Sequence, residues 1–511
     1  MTFAGILPEA ARNARIELRP KRVLASVVIC AVASFTAYVY YRHPLSPREL
    51  LDFFLYSQIT LLILGGGIYC LQSIHREKEL NTFDYQRITR LTPLELTLGK
   101  LFGASCFAYF VVLCLAPITI VAAYLSGVPV LTGLEIYLLL LTGAIAWHAL
   151  ALLISLMAGR GTFAGGIILL LILFWMSCLS GWDSGGMLAL QGFSPYFAAQ
   201  LPIAVAQPGH ALGELPAGRD LLFGAAVPHG LVLVVLWMSL TAWFLLAVAR
   251  NIKRDPSVYE IYSPLQAFAF VLYLHLIVFA FYQWTRVYPL PVGSGSSLHY
   301  DLREFAVASM QAEHEFLGVS FLFFAVFALV LLRNRERVRH RILKLGHGAV
   351  SWWSAVWPAP YLLGGIVAEG LVMVALIRHK LHPETGWSFG MAFFEVCFLA
   401  AWIVRDAIYL QWMRLRRGRR SLIGGLLYLI VFYVCTSALW ATFAVHGSES
   451  VNTARLAPYL VPWAIFGFDF HGWVASAKMW IGALAVLGSE ALVFAALQRA
   501  QLKRLRDSMT V

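Results

Sequence analysis

The sequence predicts an all-α polytopic membrane protein of about 12 transmembrane helices, built as two pseudo-symmetric six-helix halves with both termini cytoplasmic. Three observations predict it. Hydrophobic residues make up 60% of the 511-residue chain and charged residues 13%, with a mean hydropathy of +0.72, a composition no soluble domain of that length sustains. Apolar windows long enough to cross a hydrocarbon core of roughly 30 Å recur about twelve times. Lysine and arginine crowd alternate loops, about 29 on the terminal side against about 8 on the other, the positive-inside bias of a cytoplasmic face.

Taken in order, Met1 to Arg22 is charged and alternating, with Ile6, Leu7, Ala10, Ile16 and Leu18 available for one apolar face. It predicts a short helix lying in the cytoplasmic interface and no cleavable signal peptide. The predicted spans of the first half are Val23–Tyr41, Leu51–Leu71, Leu101–Leu125, Ile136–Met157, a short one at Gly165–Leu179, and His229–Val248. Those of the second half are Pro264–Tyr282, Phe316–Leu332, Tyr361–Ile377, Phe389–Leu410, Leu422–Val445 and Lys478–Leu497. Basic clusters follow the even-numbered spans, for example Arg250, Lys253 and Arg254, or Arg333, Arg335, Arg337, Arg339 and Arg341. Topology therefore accounts for the net charge of +12, and no nucleic-acid partner is implied. All seven cysteines fall in predicted spans without ligand or disulfide spacing, and read as small apolar packing residues.

An internal repeat divides the chain at 1–255 and 256–511. Gly159-Arg160-Gly161-Thr162 with Gly165-Gly166 recurs as Gly418-Arg419-Arg420-Ser421 with Gly424-Gly425. At nearly the same offset, Thr92-Pro93 with Leu98-Gly99 matches Trp357-Pro358 with Leu363-Gly364, and Ser194-Pro195-Tyr196 matches Ala457-Pro458-Tyr459. Two halves of like orientation form a parallel repeat about an axis along the membrane normal. They differ most between their second and third spans. The first carries the insert 73–100, within SIHREKELNTFDYQRITRLTPLELTLGKLFG, while the second has the basic, aromatic RNRERVRHRILKLGHGAVSWW.

A membrane subunit driven by a soluble engine needs a short rigid element at the membrane surface to take up its motion. In the insert, Glu77, Glu79, Asp84, Arg87 and Arg90 supply polar docking contacts, and Phe83, Tyr85, Ile88 and Leu91 an apolar anchor. The plain alternative is a solvated amphipathic loop.

Glu77 and Glu79, then Thr82, Pro93, and Leu98-Gly99-Lys100 opening the third span, resemble the coupling loop of ABC-2 type ABC transporter permeases. Two features depart from that pattern: Asn81 stands where the family prefers glycine, and the Thr82 to Pro93 spacing is about three residues longer, close to one helical turn. The resemblance implies a permease subunit of an exporter in the cell (inner) membrane. A separate ABC ATPase would dock on Glu77, Glu79, Thr82, Phe83, Asp84, Arg87, Arg90, Leu91 and Pro93. ATP and Mg would bind on that partner; this chain has no G-x-x-x-x-G-K-[ST] match and is expected to be neither an enzyme nor a cofactor binder. A second copy of the chain or another permease is a further implied partner beside the lipid bilayer. The proline- and aromatic-rich segments Ser180–Val227 and His446–Trp473 read as short re-entrant or interfacial helices, and the resemblance makes them the external gate, at Pro195 and Tyr196 and at Pro458 and Tyr459.

Ionisable residues within spans are costly and mark candidate pathways. They are His148, His275, Glu369, Glu395 and Glu490, with Lys478 near a helix end. Glu369 and Glu395 lie on consecutive predicted helices and suit a shared proton or cation, the basis of the alternative reading as an ion-coupled 12-helix secondary transporter. His314-Glu315 begins an H-E-x-x-H pattern, but Gly318 stands at the second histidine, and no metal site is expected.

Overall fold

The computed structural model describes residues 8–41, 47–157, 194–206, 219–222, 225–255, 259–274, 331–345, 352–367, 389–416, 424–436 and 473–508, with isolated positions 167, 324–325, 327–329 and 422. The chain divides into two compact units, Met1–Ile261 with Ile277–Pro291, and Tyr262–Leu276 with Val292–Val511.

The first unit contains α1 (Pro8–Glu17), α2 (Pro20–Tyr41), the long α3 (Pro47–Glu79), the five-residue α4 (Phe83–Arg87), α5 (Pro93–Leu125), α6 (Val130–Met157), α7 (Pro195–Ala206) and α8 (His229–Asn251). A short antiparallel hairpin, β1 (Arg219–Leu222) with β2 (Ala225–Pro228), precedes α8. It falls in a segment expected to be helical. The second unit contains α9 (Pro264–Leu274), α10 (Arg335–Leu345), α11 (Trp352–Ala355), α12 (Phe389–Leu415), α13 (Gly424–Thr436) and α14 (Trp473–Asp507).

Seven of the described helices are long and apolar enough to cross a membrane, and the chain is a helical membrane protein. They coincide with the first, second, third, fourth, sixth, tenth and twelfth predicted spans. The seventh and eleventh appear as the shorter apolar helices α9 and α13. The fifth, 165–179, lies outside the described residues apart from Ile167, as do much of the eighth and the ninth beyond 367.

Within the first unit α6 is central. Of its apolar window 72% is buried, against 6% for α2, as its all-round hydrophobicity requires of a helix with helices on every side. The C-terminal half of α3, α7 and α8 all pack on it. Leu24, Ile29, Val32 and Phe35 of α2 are exposed apolar residues, the surface a spanning helix turns to lipid. In the second unit α12 and α14 pack along each other, with Ile408 meeting Ala495, Val356 and Ala359, and Leu415 meeting Leu502 and Leu505.

The insert 73–100 is not one helix. Residues up to Glu79 continue α3, and those from Pro93 begin α5, so that only α4 stands between them. Asn81 ends the first run with φ 56°, a left-handed conformation that asparagine tolerates better than other side chains bearing a Cβ. Asparagine can therefore stand where the coupling-loop pattern that the insert resembles has glycine. Thr92 starts the next run with a complete capping box: its side chain accepts from the Glu95 N–H at 3.2 Å, and its own N–H donates to Glu95 Oε2 at 2.7 Å. Pro93 follows at a position where its missing N–H costs nothing.

Candidate functional site

Three helix ends meet beneath the insert. Lys100, near the start of α5 and only 1% exposed, places Nζ 2.6 Å from Glu77 Oε2 and 3.6 Å from Glu9 Oε1. Arg12 of α1 donates to Glu9 at 2.6 Å and reaches Glu77 at 3.4 Å, and Gln86 of α4 donates to Glu77 as well. Two carboxylates face two cations, so the hub is neutral and its buried charges are compensated. Glycine lets α1 come this close. A Cβ at Gly99 would stand 2.6 Å from Glu9 Cβ, and one at Gly103 would stand 2.8 Å from Ala10 Cα. The Gly-Lys of the resemblance thus acts inside the chain, the glycine by making room for α1 and the lysine by pairing with Glu77.

Beside the hub, Lys78 is buried and donates to the Ser155 and Leu156 carbonyls at 2.9 and 2.6 Å, placing a cation at the negative C-terminal end of α6. The Tyr259 ring lies 6.0 Å from that ammonium. Burial pushes its hydroxyl up to about 12.

The expected docking residues separate into two sets. Glu77 is engaged in the hub, and Phe83 is buried, 3% exposed. Arg87 turns partly inward, 2.7 Å from Asp84 and 4.0 Å from Asp255, and Leu91 is half-buried. Glu79, Thr82, Asp84, Arg90 and Pro93 are exposed. Exposed with them are Tyr85 at 71%, Ile88 at 82%, and the residues Leu80 and Leu94. The apolar face of this crown is therefore Leu80, Tyr85, Ile88 and Leu94. Thr82 donates from its hydroxyl to the Glu77 carbonyl at 3.3 Å and helps close the turn.

At the other end of α3, a polar ladder runs at four-residue spacing through Arg48, Asp52, Tyr56 and Thr60. Gln200 of α7 accepts from Arg48 at 2.9 Å and donates to Asp52 at 3.0 Å, and the hydroxyls of Tyr196 and Thr60 are 2.6 Å apart. Pro195 opens α7. Of the two residues expected at an external gate on this helix, Tyr196 is held to α3, beside Gln200, a connection that the one-face spacing of the α3 polar residues signals.

His148, in the middle of α6, is fully buried. The π turn Leu61–Gly65 in α3 and the bare Gly66 make room for it; a Cβ on Gly66 would stand 2.2 Å from its Nε2. Nε2 lies 2.8 Å from the Leu62 carbonyl and Nδ1 lies 3.1 Å from the Tyr109 hydroxyl. Nε2–H donating to the carbonyl, with Nδ1 accepting from the tyrosine, satisfies both nitrogens of a neutral ring. The histidine ties three helices together.

In the second unit, Glu490 of α14 accepts from Arg405 Nη1 at 3.0 Å, and Arg405 holds Asp406 at 2.7 Å. Tyr433 of α13 donates to the other Asp406 oxygen, and the Arg405 guanidinium stands 4.2 Å from the Trp402 ring centre. Arg405 and Asp406 escaped the sequence reading although they lie within the tenth predicted span; two adjacent opposite charges in an apolar helix were the signal. A cavity of about 240 Å³ opens beside them. Glu369, Pro458, Tyr459 and His275 lie outside the described residues, and of Glu395 and Lys478 only their places on α12 and α14 are described. No group of metal-type ligands occurs among the described residues. No protein-family model matches the chain, and no curated protein or solved structure matches it significantly.

Proposed function

We propose that the chain is the membrane-spanning permease subunit of an ATP-driven exporter of the ABC-2 type in the cytoplasmic (inner) membrane. ATP would be hydrolysed, with Mg, on a separate nucleotide-binding subunit. Twelve spans in two six-helix halves and cytoplasmic termini belong to the same reading. The observation that carries it is the crown of the insert: apolar Tyr85 on the short α4 and Ile88 just after it stand exposed, rimmed by Glu79, Asp84 and Arg90. Aromatic and aliphatic anchors within a charged rim suit a protein partner. Gln86 ties that helix to Glu77, and Glu77 is tied to α1 and α5, so a displacement of α4 passes to three helices as a rigid-body movement.

The test is to purify the tagged chain from its native membrane in mild detergent, beside a version carrying Tyr85→Arg and Ile88→Arg. Both positions are exposed, so the variant keeps its fold. An ATP-binding-cassette subunit is expected with the native chain and absent with the variant. Its absence from both overturns the reading, and equal recovery with both overturns the docking surface.

A second reading, an ion-coupled secondary transporter, draws on the Arg405, Asp406 and Glu490 cluster. It requires transport that persists in the Tyr85→Arg, Ile88→Arg version and collapses when the ion gradient is dissipated.

A further inference from the structure

The recess between α12, α13 and α14 has a charge count that its own residues leave unbalanced. Arg405 is the guanidinium at its wall, and it is already spent: Nε and Nη2 on Asp406, Nη1 on Glu490 Oε2. Two carboxylates against one cation leave one negative charge in excess when both are ionised. The two carboxylates are unequal. The Asp406 side chain is 14% exposed and also accepts from Tyr433, whereas the Glu490 side chain is 45% exposed and lines the cavity. Among the described residues, Glu490 Oε1 has no hydrogen-bond partner.

The rest of the wall is aromatic. Tyr409 contacts Tyr428 with ring centres 5.7 Å apart and Phe494 at 5.1 Å, and Phe432 stacks beyond Tyr428 at 6.2 Å. With both carboxylates ionised, an anion would be repelled and a neutral group would leave the excess charge unanswered. A small metal ion would want several oxygen ligands, which are not gathered here among the described residues. A carboxylate beside several π faces is the chemistry that recognises an organic ammonium group.

Size and access point the same way. At about 240 Å³ the cavity is smaller than the roughly 300–1,000 Å³ of pockets that enclose a drug-sized ligand, and accommodates a headgroup with its tail outside. The wall residues Tyr428 and Val493 are themselves 57% and 58% exposed. Val493 lies on the membrane-crossing α14 and Tyr428 on the shorter apolar α13 beside it, where exposed apolar groups meet acyl chains, so the cavity opens sideways to the bilayer. We propose that this recess binds the ammonium headgroup of an amphiphile, with the tail lying along the apolar surface of α13 and α14. The inference does not depend on an ATPase partner, because binding is read with neither partner nor ATP present.

The test is equilibrium binding of radiolabelled dodecyltrimethylammonium to the full-length chain in nanodiscs of phosphatidylglycerol, with dodecyl sulfate as the anionic competitor of equal tail length. The expected result is saturable binding of one equivalent, unaffected by dodecyl sulfate. Glu490→Gln keeps the shape, removes the excess charge and weakens binding about tenfold. Tyr428→Leu, at an exposed position that does not endanger the fold, weakens it severalfold. Doping the bilayer with phosphatidylethanolamine separates the two sources of such a headgroup: competition assigns the site to a membrane lipid, and none assigns it to a soluble amphipathic amine. Unchanged affinity in Glu490→Gln and Tyr428→Leu, or displacement by dodecyl sulfate as well as by the cation, overturns the proposal.

Discussion

The insert of the first unit and the segment around Arg333 and Trp357 in the second each close a buried junction between helix ends, with different chemistry. The first uses full charges: Lys100 with Glu77 and Glu9, and Lys78 on the end of α6. The second uses amides and a π face. Gln411, 1% exposed, accepts from the Arg333 N–H at 2.7 Å and donates to the Arg333 carbonyl at 3.1 Å, while Gln498 donates to the Ser354 carbonyl at 2.9 Å. The Arg333 guanidinium lies 3.3 Å from the Trp357 ring centre. The difference teaches that acidic residues in the first loop do not by themselves mark a docking surface. Part of the acidic pattern is internal structure, and what it leaves exposed is the apolar crown that the pattern does not specify.

The comparison breaks hardest at Lys100. Lys100→Met leaves Glu77 and Glu9 short of a cation in a buried site, a loss expected to cost roughly 3–5 kcal/mol, read as a lowered thermal unfolding midpoint of the purified chain. Adding Glu77→Gln to that variant should recover part of the loss, and no recovery would mean that the lysine acts by packing alone. Gln411→Leu in the second unit orphans a buried N–H and a carbonyl and should cost about 1–3 kcal/mol, less than Lys100→Met if ionic closure is the more committed design. Gly103→Leu pushes a side chain into Ala10 and should cost about 1–3 kcal/mol while freeing α1. Faster proteolysis at Arg19 and Lys21 would report the release, and an unchanged rate would show α1 held by other contacts.

Hydropathy is a property of the chain read in one dimension, so the spans that fall among the described residues were legible. The hub was not, because Glu9 and Lys100 are distant in sequence and meet only once Gly99 and Gly103 admit α1. Phe83 read as an outward anchor for a related reason: on the five-residue α4, periodicity does not decide which aromatic turns inward, and Phe83 is buried while Tyr85 stays exposed. Arg405 and Asp406 were visible in the sequence but concealed by the apolar average of their window. Their mutual pairing is what lets such a window carry them.

The smallest effect sharpens the comparison at the joint between α3 and α4. With φ 56°, Asn81 occupies a conformation in which a β-branched side chain is strained and glycine is not. Asn81→Val should lower stability by about 1–2 kcal/mol, whereas Asn81→Gly should stay within about 0.5 kcal/mol of the native chain, both read from unfolding midpoints. Equal losses in the two variants would mean that the asparagine side chain, and not the backbone turn, holds the joint. A harmless Asn81→Gly would make asparagine and glycine two residues that solve one backbone problem at this joint, leaving the crown's orientation to the turn.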